Sequence, residues 1–284
     1  MLKILSPVTS FDATVGVIEA GADEIYFGVK IPGVKYPGLS LRTYRSSLQS
    51  YDELGAVVEY AHEHSVETIV TMEFPFIANF VEDRIKAHVI SCVEKGVDAI
   101  IAGDIGIILT LLDMKIGIPI YASTYLASMN YEAVDFLRKL GVKRVILERQ
   151  VSLREIGEIV NHRRGEVEIE VFVHGPGCSN INVNCYGCSG SVVKPTKADY
   201  KGLVTPTCRV MYDVYRLYRG KRKRMGAVPI LDAYSFCSLC HLQELVKTGI
   251  AGIKIVGRDG PPFYQVLTTK IYRELVDLLE EGNL

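Results

Sequence analysis

Six of the seven cysteines in this 284-residue chain fall between positions 178 and 240. They read Cys178-x6-Cys185-x2-Cys188, then Cys208, then Cys237-x2-Cys240. Thiolates are soft anions that bind soft or borderline cations strongly, so the set suits an iron–sulfur cluster or zinc. Two C-x2-C pairs alone would suggest zinc, but a zinc ribbon spaces its pairs more regularly. Four to six thiolates gathered in one place suit a four-thiolate cluster at least as well. An odd count of seven fits a cytoplasmic protein with reduced thiols better than a disulfide framework. Cys92 stands apart, on the apolar face of a helical pattern with Ile85 and Val89, and reads as core.

Other catalytic signatures are missing. His62-Glu63 meets Val66 where H-E-x-x-H needs its second histidine, and Gly187-x-Ser189 is followed by Ser191 instead of the second glycine of a nucleophile elbow. No Walker loop is present. The net charge of −1 argues against a strongly basic nucleic-acid binder. One local run, Arg219-Gly220-Lys221-Arg222-Lys223-Arg224, reads as a solvated face and leaves RNA contact open.

The cysteines need a scaffold, and the pattern supplies one. Eight apolar runs read as strands: Lys3–Val8, Glu24–Lys30, Glu67–Glu73, Ala99–Asp104, Pro119–Thr124, Arg144–Arg149, Glu168–Gly175 and Ile250–Arg258. Most are continuous in apolar residues, as in parallel strands covered on both faces. Helical patterns lie between them, opened by the capping boxes Ser50-x-x-Glu53 and Ser152-x-x-Glu155, with Val151 and Ile156 as a hydrophobic staple. At four joins a glycine (Gly21, Gly96, Gly141, Gly249) follows a helix and a strand begins at once. This rhythm predicts a TIM-type (β/α)8 barrel occupying residues 1–284 as one domain. An open doubly wound sheet is the alternative, but no G-x-G-x-x-G opens a helix. Between strands seven and eight the rhythm breaks, and residues 176–240 form a cysteine-rich insertion at the C-terminal face. Within it, Met211–Tyr218 reads as a Tyr-rich helix. Phe263–Glu280 reads as a closing helix with Val266, Ile271, Leu275 and Leu278 inward. No apolar run reaches the roughly 20 residues that span a bilayer.

Polar residues at the strand C-ends converge on a barrel's mouth: Glu73, Asp104, Ser123, Thr124, Glu148, Arg149, His174 and Arg258. His174, Glu148 and Glu73 are the candidate catalytic groups among them. Arg42 and Arg45, after the second strand, could hold an anion through bidentate contacts.

Three segments resemble the U32 family, historically called collagenase-like peptidases: Phe172-Val173-His174-Gly175-x2-Cys178-x6-Cys185, Cys208-Arg209-x2-Tyr212, and Gly249-Ile250-x2-Ile253-Lys254-Ile255-x-Gly257-Arg258. Gly21-Ala22-Asp23-Glu24-Ile25-Tyr26-Phe27-Gly28 and Ser123-x4-Ser128-x-Asn130 are similar to it as well. The resemblance implies a TIM-type barrel and a [4Fe–4S] cluster held by four cysteines. It implies oxygen-independent hydroxylation, of a ubiquinone precursor by a paired complex or of tRNA and rRNA bases, with prephenate as the proposed hydroxyl source. Carried over, Cys178, Cys185 and Cys208 match three ligands, and Cys237 is the choice for the fourth, with Cys188 and Cys240 as rivals. The chain departs from the family pattern in having Val256 for the Glu of Lys-Ile-Glu-Gly-Arg, and in reducing a Cys-x3-Cys to Cys208. Tyr234-Ser235-Phe236 also replaces a common Ser-Lys-Asp. The resulting expectation is an iron–sulfur enzyme, with zinc as the alternative cofactor. It would bind an anionic small molecule through Arg42, Ser123, Asn130, Arg149 and Arg258, possess no membrane span, and pair with a homologous U32 subunit. A peptidase and a non-catalytic iron–sulfur subunit are the competing expectations.

Overall fold

The computed structural model describes residues 2–32, 47–73, 82–177, 211–229, 235–258 and 260–283. All eight expected strands form, seven of them somewhat shorter than their apolar runs and the seventh in order one residue longer. They are β1 (Lys3–Pro7), β2 (Glu24–Val29), β3 (Glu67–Met72), β4 (Ala99–Ala102), β5 (Ile120–Ala122), β6 (Arg144–Ile146), β7 (Glu168–Pro176) and β8 (Gly252–Ile255). Each pairs in parallel with the next, and β1 pairs with both β2 and β8, which closes the barrel. The surrounding helices are α1 (Phe11–Glu19), α2 (Tyr51–Glu63), α3 (Glu82–Glu94), α4 (Ile105–Met114), α5 (Tyr131–Lys139), α6 (Leu153–His162), α7 (Leu242–Thr248) and α8 (Pro262–Glu280).

Local chemistry sets these boundaries. Ser10, Ser50, Asp104, Asn130 and Ser152 each cap a helix by accepting a backbone N–H with the side-chain oxygen. The box at Ser152 and Glu155 is reciprocal. At Ser50 only half of it forms, because Glu53 reaches one residue further back, to Gln49 N at 2.6 Å. The four join glycines all take positive φ, the conformation that ends a helix most cheaply without a Cβ.

Strand residues alternate between two cores. Ile25, Val70, Ile100 and Ile253 face the helices, whereas Leu5, Tyr26, Ile69, Ile101, Tyr121 and Ile146 fill the barrel, with Phe172 half-buried against them. The inward alternation carries charge as well, which the reading of the strands as apolar runs did not foresee. At the N-terminal end Arg144 donates to Glu24 (Nη2 to Oε1, 2.8 Å), to Glu168 at 2.6 Å and to Glu170 at 3.0 Å. Lys3 bridges Glu24 at 2.8 Å and Glu67 at 2.9 Å. The buried members, Arg144, Glu24 and Glu170, keep their charge there only because each finds a partner.

Two sequence expectations are corrected. Met211–Tyr218 is a strand, not a helix, and pairs antiparallel with Lys221–Pro229. Arg219 and Gly220, at φ 45° and 75°, make the two-residue turn whose positive φ values match hairpin twist. Alternating Tyr, Val and Leu favour a pleated ribbon over a helix there. On α8 the inward residues are Gln265, Thr268, Thr269, Tyr272 and Val276. Ile271 and Leu278 face out at 37% and 39% exposure, and Val266 and Leu275 lie at the edge. The helix is seated by hydrogen bonds as well as apolar contact: Ser6 Oγ lies 2.8 Å from Thr269 Oγ1, and Tyr272 donates to Val173 O at 2.7 Å. Among the described residues no helix is long and apolar enough to cross a membrane.

Candidate functional site at the barrel mouth

The C-terminal ends of the strands bring most of the expected residues to one rim. Arg258, just past β8, reaches across the mouth over the Tyr26 ring, 5.4 Å from its centroid. Its Nη2 donates to Glu73 Oε2 at 2.6 Å and its Nη1 to Thr71 Oγ1 at 2.6 Å. Ser123 Oγ, past β5, donates to the other Glu73 oxygen at 3.2 Å. The chain Arg258–Glu73–Ser123 therefore spans the opening from β8 through β3 to β5. All three are nearly fully buried. Two glycines admit this crossing. A Cβ on Gly28 would lie 3.4 Å from Arg258 Nη1, and one on Gly103 would lie 2.9 Å from the Glu73 backbone. An anionic ligand reaching Arg258 has to compete with Glu73 for the guanidinium.

A second group forms where β7 ends. His174 is half-buried, and burial lowers its pKa, so the imidazole is neutral around neutral pH. Its ring stands edge-on to Tyr272 at 5.7 Å and tilted to Tyr264 at 6.0 Å. Tyr272 spends its only proton on Val173 O, so towards His174 Nδ1, 3.4 Å away, it can only accept. That contact places the ring proton on Nδ1 and leaves Nε2 with a free lone pair for a reacting group or a ligand. Burial, and then the neighbouring Cys237, push the Tyr272 phenol above its ordinary range.

Cys237 belongs to this group through the backbone. The short return strand Ser235–Cys237 pairs antiparallel with the end of β7, with Cys237 opposite His174. Directly opposed residues share one face of a sheet. The thiol is free and exposed, as is that of Cys240 in the one-turn helix Leu239–His241. Gly175 makes the junction possible. Its φ is +128°, and a Cβ there would lie 2.6 Å from Val256 Cβ and 2.7 Å from Val256 O.

The other expected residues lie as follows. Glu148 is buried beside its own neighbour, accepting from Arg149 N at 3.2 Å, and Arg149 stacks on Phe172 at 4.6 Å. Asn130 is exposed and its side-chain oxygen caps α5, accepting from Ala133 N at 2.9 Å. Asp104 likewise caps α4. Cys92 is fully buried on α3, where burial pushes its thiol up to about 12, as expected of a core residue. Arg42, Arg45, Cys178, Cys185, Cys188 and Cys208 lie outside the described residues. Among the described residues no cluster of three or more His, Cys, Asp or Glu side chains is placed to hold a metal.

One residue that sequence reasoning passed over sits directly beneath the mouth. Lys254 is 1% exposed, its Nζ 4.0 Å from the Tyr26 centroid and 3.8 Å from Glu170 Oε1. Among the described residues neither Nζ nor that oxygen has a hydrogen-bond partner. Burial pulls the amine down to about 8, against the pull of Glu170 and Glu73. Its signal was a lysine inside an otherwise apolar eighth strand.

A model of peptidase family U32 matches residues 9–284. The chain belongs to that family. Among U32 relatives it is similar to the tRNA hydroxylation protein P of Escherichia coli (strain K12), 25% identical over 333 residues that cover 99% of this chain and 69% of that protein. It is similar also to a collagenase of Porphyromonas gingivalis, 24% identical over 292 residues covering 99% of this chain and 67% of that one. The chain thus spans about two thirds of the length of these relatives. The solved structure of the U32 peptidase Mk0906 superposes with a TM-score of 0.56 at 15% identity, over 90% of this chain and 92% of that one. That likeness shows the barrel fold.

Proposed function

We propose that this U32 chain is an iron–sulfur enzyme of oxygen-independent hydroxylation, acting on an RNA base with an anionic, prephenate-like co-substrate. One observation carries the reading. Cys237, a free and exposed thiol on the return strand, is held at the barrel mouth in register with His174 at the end of β7. The donors present fit the cofactor in kind: Cys237 is the described member of the set Cys178, Cys185, Cys208 and Cys237 that would hold a [4Fe–4S] cluster. When bound, such a cluster, with a thiolate on each iron, would supply electron transfer next to the pocket. The chain's own residues do the rest. His174, neutral with Nε2 free, takes up or hands on a proton at the substrate. Arg149, whose guanidinium lies over the Phe172 ring, and Arg42 offer guanidinium groups to a carboxylate. The Arg258–Glu73–Ser123 bridge fixes the floor on which the co-substrate rests. The tRNA-hydroxylating relative supports the choice of reaction.

Anaerobic purification with iron, sulfide and zinc analysis and an absorption spectrum tests this reading. The expected result is a brown protein with iron and acid-labile sulfide in equal amounts. Cys237→Ala and Cys178→Ala should abolish the chromophore, and Cys92→Ala should retain it. A colourless protein holding one zinc overturns it. A second reading, peptidase activity, is favoured by the same pairing of Cys237 with His174, since a thiol beside an imidazole is a nucleophile–base arrangement. Cleavage of gelatin by the anaerobic protein, lost in Cys237→Ala and His174→Gln and independent of iron, would establish that reading instead.

A further inference from the structure

The hairpin formed by Met211–Tyr218 and Lys221–Pro229 contains no buried residue among those whose side chains are described. It carries six cations (Arg216, Arg219, Lys221, Arg222, Lys223, Arg224), one carboxylate (Asp213) and three tyrosines, in a chain whose net charge is −1. Ladder register sorts the side chains onto two faces. One presents Tyr218 beside Lys221, Arg216 beside Lys223, and Tyr212 beside Val228. The other presents Leu217 beside Arg222, and Tyr215 beside Arg224, whose guanidinium holds Asp213 at 2.7 Å. Like charges directly opposite each other weaken a sheet. Arg216 and Lys223 are such a pair, and the hairpin's one carboxylate is engaged on the opposite face. A ribbon arranged this way gains stability from an outside polyanion.

The tyrosines narrow the choice of polyanion. The Arg222 guanidinium carbon lies over the Tyr215 ring, 3.5 Å from its centroid, and Arg219 sits 5.3 Å from the Tyr218 centroid. Tyr212 and Tyr218 are 37% and 60% exposed. Exposed rings between cations bind single-stranded nucleic acid, since bases stack on the rings while phosphates meet the cations. A two-stranded ribbon eight residues long extends about 27 Å. Residues 230–234 link it to Ser235 at the mouth, so its base lies within about 20 Å of the return strand.

We infer that this hairpin is an RNA-gripping arm that holds a single-stranded segment of the substrate beside the barrel mouth. The choice of RNA rests on the function proposed above; the location rests on the hairpin alone. The test uses the full-length protein, purified anaerobically, and fluorescence anisotropy of two labelled probes across a KCl series: a mixed-sequence single-stranded RNA and a transcribed tRNA. Two variants, Arg216→Ser/Lys223→Ser and Tyr212→Leu/Tyr218→Leu, change exposed side chains of one hairpin face only, and their iron content and circular dichroism report on the barrel. The charge variant should weaken both probes at least about tenfold and flatten the dependence of log affinity on log salt by about 0.7 per lost phosphate contact. The tyrosine variant should weaken binding about fivefold or more with the salt slope unchanged. Unchanged affinity in both variants overturns the arm. So does a wild-type protein that binds phosphatidylserine vesicles more tightly than either RNA. Hydroxylation read separately, as modified nucleosides in complemented cells, distinguishes the two failures. A modified product from variants with intact binding and iron sinks the arm and leaves the function, whereas RNA binding through the hairpin without any modified nucleoside sinks the function and leaves the arm.

Discussion

Arg144→Met tests how much the charged floor of the barrel contributes. Arg144 is 1% exposed in its side chain and holds Glu24, Glu168 and Glu170. Burial alone would raise the Glu24 carboxyl; the bonds from Arg144 and Lys3 outweigh it and bring the pKa from 4.5 to about 2. At about 1.4 kcal/mol per unit, that shift stands for about 3 kcal/mol of stability. A carboxyl depressed in the folded state stabilises above its unfolded pKa, so this contribution is complete above about pH 4.5 and vanishes as pH falls towards 2. Methionine keeps the volume and removes the charge. Glu24 is then left with Lys3, and Glu170, whose pKa burial already raises, with the more distant Lys254. Both carboxyls then favour the protonated form. Removing one partner of a buried ion cluster costs about 3–5 kcal/mol. Urea unfolding followed by circular dichroism should show that loss at about pH 7, and a loss smaller by at least about 1 kcal/mol at about pH 5. A loss below about 1 kcal/mol at neutral pH, or one that is equal at both pH values, would refute the reasoning.

Other consequences follow from the same contacts. Lys254, held down to about 8 in the folded state, binds fewer protons than its unfolded counterpart between about 8 and 10.5. Stability should therefore rise with pH through that window, and Lys254→Met should remove the rise. A variant with an unchanged pH profile would show that the amine is not the titrating group. Gly175→Ala forces a Cβ against Val256 at positive φ; it should cost at least about 2 kcal/mol in urea unfolding, and wild-type stability would contradict the close approach. Arg258→Lys keeps the charge but loses the fork that holds Thr71 and Glu73 together. Hydroxylated-nucleoside yield should fall at least about tenfold with iron content unchanged. Full activity would remove Arg258 from the site.

How much of this was legible depends on the range of the interaction. Gly21, Gly96, Gly141 and Gly249 mark helix ends through their own backbone, so the barrel could be read from the chain. Barrel geometry then sends strand C-ends to one rim, which placed Glu73, Ser123, His174 and Arg258 correctly without contacts. What those residues touch was not legible. Arg258 pairs with Glu73 across the opening, and Arg144 with Glu24 across the floor, in each case between strands that are not neighbours. Asn130 carries a helix-start signature, and the cap is where its oxygen is used. The hairpin was missed because Tyr, Arg and Leu tolerate both helix and strand. The deciding signal was the pair Arg219-Gly220, which turns the chain back on itself.

The return strand has a consequence for how such a protein can change. Ser235 stands opposite Pro176, so the chain leaves the barrel and re-enters it at adjacent points. An excursion whose ends already meet places no tension on the wall it leaves from, and doubling its length adds only about 0.6 kcal/mol of closure entropy. The wall and the excursion are then free to diversify separately. Joining Pro176 to Ser235 through a two-residue turn would yield a shortened barrel that keeps its eight strands, and the same doorway could receive a foreign insert that keeps Cys237 and His174 side by side.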